Sequence, residues 1–465
     1  MTLPPVAGQW GRPLPSQRPR AAPTAPAAMG DWPLQMGPAD AMAAIDEHAV
    51  HALDRAPAEV RLAWQTRQLH RLLQFVRDTS ALWREALPPD ALRARADDLS
   101  ALPIIGRAAL RERIEQGGAL PTPPSHGRAM FGSTSGSTGM PLRFHATELA
   151  QRLTQNQYWA DHARQGRDMW RRWAVVGPQV AAHPGHPHAD IPANPWRQAG
   201  PGLHRNTEGL PIADTASWIT RMAPAYLFIY PTLLTSMLDA WESGLPAPAG
   251  LEQVTTFSTT VEPALRERTR RVLGASIRDR YSCEELGPLA MQCPHDETRY
   301  HVSVSNVIIE VVDDSGAACA PGETGRVLVT GLHHWASPVI RYDIGDVAAL
   351  HPTCSCGAAL PSISQLLGRR RSLIRTAAGE ARFVRLTTLD WLDIAPVREF
   401  RLIQQDLQSL RLELVVAEPL TASQHAALQA LLARRIDPAL RYDIVELGAI
   451  DWPPGRKRQD VVGLG

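Results

Sequence analysis

The chain is 465 residues long, with 48 Lys plus Arg against 47 Asp plus Glu, a formal net charge of +1 and 20% charged residues. That length calls for two or three lobes rather than one core, and so small a net charge gives no field that would make nucleic acid or an anionic membrane the main partner. No apolar run is long enough to span a bilayer and no signal-peptide core is present.

The five cysteines, an odd number confined to the stretch from Cys283 to Cys356, read as free or metal-bound thiols in a cytoplasmic protein rather than as a disulfide scaffold. Lys457 is the single lysine, which leaves 47 of the 48 basic residues as arginine.

Residues 1–38 are rich in Pro, Ala and Arg, with no acidic residue before Asp31, and read as a disordered tail. From Ala44 to Leu87 an apolar period near 3.6 (Leu62, Leu69, Leu72, Leu73, Val76) predicts helices, and Asp98 to Ile114 a turn and a short helix. The middle of the chain alternates. Strand-like runs at Tyr226–Tyr230, Val254–Thr260 and Ile277–Tyr281 are separated by helical stretches from Pro231 and over Pro263–Leu273, the rhythm of an α/β sheet. From Tyr300 the pattern turns to β, with Val307–Val312 and Gly325–Thr330 about a turn at Asp313–Gly316. After Gly368 come strands at Arg401–Ile403 and Leu410–Val416 and a helix over Thr421–Arg435. The predicted fold is α/β: a large N-terminal domain over 39–367, made of helix-flanked sheets with a β module near 300–367, and a small α+β domain over 368–465.

Phe131-Gly-Ser-Thr-Ser-Gly-Ser-Thr-Gly139 packs three glycines and five hydroxyl residues into nine positions. Small residues let backbone N–H groups approach an anion, and hydroxyls add donors around phosphate oxygens. An ordinary Gly/Ser linker has a similar composition, but linkers are rarely followed by a strand pattern such as Leu142–His145. It is not a Walker A loop, because Met140 and Pro141 stand where Lys and Ser/Thr would follow. Thr134-Ser-Gly-Ser-Thr-Gly-Met-Pro141 resembles the phosphate loop of the adenylate-forming superfamily, in its phenylacetate-CoA ligase and capsule-synthesis ligase-like branch. The resemblance implies that Ser133, Thr134, Ser135, Gly136, Ser137, Thr138 and Gly139 surround the phosphates of ATP, with Thr138 in the catalytic set. Met140 replaces the usual lysine of that loop.

Further segments follow in the family's order. Tyr281-Ser-Cys-Glu-Glu-Leu-Gly287 resembles its Tyr-Gly-x-Thr-Glu motif, which implies that Tyr281 stacks on adenine and Glu285 holds Mg²⁺, a hard cation suited to carboxylate oxygen. Ser282 and Glu284 depart from the usual Gly and Thr of this nucleotide site. Ser258, Thr259, Thr260 and Glu262 occupy the loop that usually lines the adenine. Pro338-Val-Ile-Arg-Tyr-Asp-Ile-Gly-Asp346 is similar to the family's most specific stretch and gives Asp346 the ribose hydroxyls, a task for a carboxylate that accepts twice. Gly368-Arg369 resembles the hinge motif, whose arginine also meets ribose. Pro454-Gly-Arg-Lys-Arg458 lies where the family carries its adenylation lysine, so the only lysine, Lys457, sits in the motif that calls for one. A compact ammonium bridging carboxylate and α-phosphate is not freely replaced by a planar guanidinium. Tyr230 and Pro231 fall where the acid pocket of the family begins, although Tyr-Pro at a strand-to-helix turn also has a structural reading.

Cys293, His301, Cys354 and Cys356 form a separate constellation, Cys-x₇-His and a later Cys-x-Cys-Gly, that fits a tetrahedral structural zinc. His295 rivals His301 for the fourth place, and buried free thiols are the alternative. Cys283 and Cys319 read as ordinary residues. Together the resemblances imply an AMP-forming ligase that uses ATP and Mg²⁺ to convert a small carboxylic acid to an acyl-adenylate and then passes the acyl group to CoA, with a C-terminal domain that moves between the steps. An amine or a carrier-protein thiol as acceptor, and a nucleotide-binding relic without activity, stay open alongside it. A homodimer is compatible with this reading.

Overall fold

The computed structural model describes residues 38–133, 142–168, 170–177, 191–192, 202–207, 210–258, 261–369, 373–375, 381–383, 391, 394–451 and 461–464. Two compact units make up the chain, the first of residues 1–49 and 158–280, the second of residues 50–157 and 281–465.

The first unit is built on parallel strands. Tyr226–Ile229 is buried at all four positions, as expected of a strand covered on both faces. It pairs in parallel with Trp173–Gly177 and with Gln253–Phe257; Gly202–Asn206 lies outside the former and the strand starting at Ser276 outside the latter. Helices Ile212–Met222, Pro231–Glu242 and Pro263–Leu273 alternate with these strands. Pro231 and Pro263 each occupy the first helical turn, where a missing N–H costs nothing. Leu227, Ile229, Leu234, Leu238, Val254 and Ile277 meet in its apolar core. A polar centre also lies inside it: the buried Asp161 carboxylate accepts from Arg167 at 3.1 Å and Arg280 at 3.2 Å. Arg167 donates in addition to Thr255 Oγ1 at 2.8 Å.

In the second unit the helix Ala58–Thr79 presents Leu69, Leu72, Leu73 and Val76 to the core at helical spacing. Ser80 then caps the helix Ala81–Ala86 by accepting from the Trp83 N–H. The phosphate-loop motif is flanked by an antiparallel pair, Ala129–Ser133 with Arg143–Thr147. Antiparallel strands follow in the spatial order Val307–Val312, Thr324–Gly331, Tyr342–His351, Ser362–Arg369, Tyr300–Val302 and Gly287–Gln292. Toward the C-terminus a four-stranded sheet orders Arg441–Glu446, Ser409–Val416, Val397–Gln404 and Val461–Val462. The helix Ala422–Arg435 opens with a reciprocal capping box between Thr421 and Gln424. Leu402, Leu412, Leu428 and Leu432 close a separate hydrophobic cluster there.

These elements match the mixed α/β expectation. One strand differs: the run expected over Val254–Thr260 ends at Phe257, because Ser258 turns the chain with φ +81°, a left-handed conformation that no extended strand contains. Among the described residues no helix is long and apolar enough to cross a membrane.

Candidate active site

The strand Ser276–Cys283 delivers Tyr281 at its end, buried, and the Tyr281 hydroxyl donates to Asp346 Oδ2 at 2.8 Å. Asp346 sits on the strand Tyr342–His351 just after Gly345, whose φ of +82° is one that glycine adopts without strain. The Asp343 side chain accepts from the Gly345 N–H at 3.0 Å and holds that irregular stretch of the strand. Across the ladder, Asp346 is the register partner of Arg369. Two motifs separated in sequence are therefore cross-strand neighbours, although the Arg369 side chain lies outside the described residues.

Glu285 follows in the turn after Cys283, with a side chain only 6% exposed. Arg107, at the start of the helix Arg107–Gly117, brings Nη1 to 3.4 Å from both Glu285 Oε1 and the Tyr342 hydroxyl. Burial, and then the Glu285 charge, push the Tyr342 phenol up to about 12, partly opposed by Arg107. The Cys283 thiol is pushed well above its ordinary value by burial, then by Glu285, with Asp346 adding to it. Glu285 and Asp346 thus both bring negative charge to the neighbourhood of Cys283, with the Arg107 guanidinium beside Glu285. Such a site favours a bound cation and hydroxyl donors.

Ser282 is the last but one residue of that strand, and Glu284 is exposed in the same turn as Glu285. In the first unit, Ser258 and Glu262 bracket the turn before the helix Pro263–Leu273, and Glu262 is its N-cap residue. Tyr230 caps the helix starting at the buried Pro231, and its ring lies 4.6 Å from that of Phe257. Both turns follow the carboxyl ends of parallel strands, where α/β sheets place their ligands. Thr134, Ser135, Gly136, Ser137, Thr138, Gly139, Thr259, Thr260 and Lys457 lie outside the described residues, as does the Ser133 side chain.

Cys293, His301, Cys354 and Cys356 come together as the sequence spacing anticipated, with one donor atom from each all within 4.8 Å of one another. His301 Nε2 stands 3.4 Å from Cys356 Sγ. The His295 contribution is its backbone N–H, 3.4 Å from Cys293 Sγ, and Ala358 N–H approaches Cys356 Sγ at 3.5 Å. Tetrahedral zinc with Zn–S near 2.3 Å spaces its sulfurs by about 3.8 Å, so this donor set fits the ion.

Arg107 and Tyr342 were not among the expected residues. Arg107 is 178 positions from Glu285, and nothing in its local pattern marks it. Tyr342 lay inside a recognised motif, and its hydroxyl bond appears only once the strand is placed.

No family model matches the sequence. A curated relative, the phenylacetate-coenzyme A ligase of Thermus thermophilus, is 23% identical over 342 residues, covering 69% of this chain and 73% of that protein. A solved 2-hydroxyisobutyryl-CoA ligase in its postadenylation state aligns with a TM-score of 0.69 at 17% identity, over 88% of this chain and 90% of that one. The AMP complex of O-succinylbenzoate coenzyme A synthetase from Bacillus subtilis aligns with a TM-score of 0.52 at 17% identity, over 70% and 67%. The chain is thus related to a phenylacetate-coenzyme A ligase and carries the fold of the acyl- and aryl-CoA ligases of the adenylate-forming superfamily.

Proposed function

We propose that the chain is an ATP-dependent, AMP-forming ligase that activates a carboxylic acid as its acyl-adenylate and hands the acyl group to coenzyme A. The observation that carries this reading is the Tyr281–Asp346 hydrogen bond with Glu285 close by and Arg369 in register, which joins three separately recognised nucleotide motifs in one place. Asp346 accepts from the ribose hydroxyls and the Tyr281 ring packs on adenine. The substrate carboxylate oxygen attacks the α-phosphorus, and the bond to the bridging oxygen breaks as pyrophosphate leaves with the electron pair. Lys457 neutralises charge on the bridging oxygens. Glu285 would hold Mg²⁺, whose charge would offset that of the phosphates. In the second step the CoA sulfur attacks the acyl carbon and AMP departs. The segment 368–465 forms the small domain, turning about Arg369 between the steps.

Structural zinc on Cys293, His301, Cys354 and Cys356 belongs to the same reading, and the fit of the donor set supports it. The test is ATP–pyrophosphate exchange over a panel of acids, aryl acids such as phenylacetate first, followed by product analysis with CoA, amines or carrier protein added. Acid-dependent exchange with thioester formation is expected. Exchange that leads to product only with an amine or carrier protein would overturn the acceptor, and no exchange with any acid would overturn the activity.

A further inference from the structure

One buried cluster of charge in the first unit is left unbalanced. A single carboxylate, Asp161, faces two guanidinium groups, those of Arg167 and Arg280, and His162, 3.1 Å from Arg167 Nη1, adds no negative charge. Asp279, next to Arg280 in sequence, alternates to the opposite face of the strand Ser276–Cys283, where it accepts from Thr256 Oγ1 at 2.7 Å. A buried charge is costly unless paired, so a surplus cation kept in this place points to an anion that completes it.

The two arginines differ in how far they are used. Arg167 is buried and all three of its nitrogens donate: Nε to Gln253 Oε1 at 2.9 Å, Nη1 to Asp161 and Nη2 to Thr255 Oγ1 at 2.8 Å. Arg280 turns Nε and Nη2 to one Asp161 oxygen, at 3.4 and 3.2 Å, and among the described residues its Nη1 makes no hydrogen bond. Its guanidinium carbon lies 4.7 Å from the Tyr158 ring centroid and 5.1 Å from that of Phe228, which fixes the group in place, and the side chain is 9% exposed. A fork held this firmly with one edge uncommitted suits a carboxylate. Arg280 also stands toward the carboxyl end of its strand. Its register partner is Phe257, whose ring lies 4.6 Å from that of Tyr230, and all three side chains are only partly buried.

We propose that the acid activated by this protein is dianionic: beyond the carboxylate that reacts, it carries a second one that pairs with Arg280, and its apolar body lies against the Tyr230 and Phe257 rings. The assignment rests on the acid-activating reading above and names the substrate class for it. Arg280 touches the far end of the substrate and takes no part in the transfer to the α-phosphorus, so its effect is one of specificity.

The experiment measures ATP–pyrophosphate exchange on matched pairs of acids, hexanoate against adipate and phenylacetate against para-carboxyphenylacetate, with wild type, Arg280→Met and Arg280→Lys. Wild type is expected to favour the diacid of at least one pair by about tenfold or more in kcat/KM, the effect of a hydrogen bond between charged groups. Arg280→Met should lower that preference by about ten- to a hundredfold, the loss falling on KM for the diacid rather than for ATP, and Arg280→Lys should recover part of it. The Asp161–Arg167 pair survives in both variants, and the wild-type comparison decides by itself if a variant does not fold. A wild type that exchanges but favours the neutral-ended acid in both pairs would overturn the assignment and leave acid activation standing, as would an Arg280→Met that lowers both members of a pair equally. Exchange with no acid at all would sink the acid-activating reading and the assignment with it.

Discussion

At the scale of single residues, the account turns on two buried carboxylates that use their charge differently. Asp346 is held by the Tyr281 hydroxyl, and the proposed function gives it the ribose hydroxyls to accept from. Tyr281→Phe keeps the ring and removes that bond, and hydrogen bonds to charged groups contribute about 1.5–3 kcal/mol. KM for ATP should rise at least about tenfold, with melting temperature little changed; an unaltered KM would show that the bond does not position Asp346. Asp161 is structural. Burial alone would raise its pKa, but the Arg167 and Arg280 guanidinium groups outweigh it and hold the carboxyl below the usual range. Burial in turn pulls Arg167 down to about 10, against Asp161. Asp161→Asn strands two buried cations and should destabilise by about 3–5 kcal/mol. Because the folded pKa is depressed, this contribution is complete above the unfolded value of about 3.9 and is lost as pH falls through the folded one. Urea unfolding should therefore show a large wild-type advantage at pH 7 that shrinks below about pH 4. An advantage independent of pH would mean that the charge of Asp161 is not what stabilises.

At the scale of elements, turns decide where chemistry sits. Gly345 and Ser258 both take positive φ, Gly345 inside the strand Tyr342–His351 and Ser258 just past the end of Gln253–Phe257. Glycine takes such a φ freely, whereas only the fold's demands put serine in a left-handed conformation. The cysteine and histidine grouping was legible from spacing, and the placement of His301 rather than His295 beside the thiols comes from a strand. Tyr300–Val302 pairs with Gly287–Gln292 and carries the His301 ring to the thiols, while His295 stays in the turn. The turn bearing Cys354 and Cys356 is fastened to the helix Ala58–Thr79, where Arg61 Nη2 donates to Ala359 O at 2.6 Å. Metal removal should therefore loosen more than the turn itself. Purified protein is expected to contain one zinc per chain by elemental analysis, and a zinc chelator or Cys354→Ser to lower the melting temperature by roughly 5 °C or more. Metal-free protein that melts unchanged on chelation would contradict the assignment.

For the whole molecule, the alternation of strands and helices and the order of the motifs were readable because each rests on local pattern. The convergence of Arg107, Tyr342 and Glu285 was not, since it joins residues far apart in sequence through packing alone. Lys457 stood out in the sequence by being the only lysine. Its assignment predicts that Lys457→Ala abolishes adenylate formation yet leaves a supplied acyl-adenylate reactive with CoA; equal loss of both steps would count against the role. The central claim is that the acid's own oxygen attacks the α-phosphorus. Mass spectrometry of the products formed from an acid doubly labelled with ¹⁸O tests it most directly. The account predicts AMP carrying one labelled oxygen in its phosphate, whereas unlabelled AMP, or ADP with the label in inorganic phosphate, would contradict it.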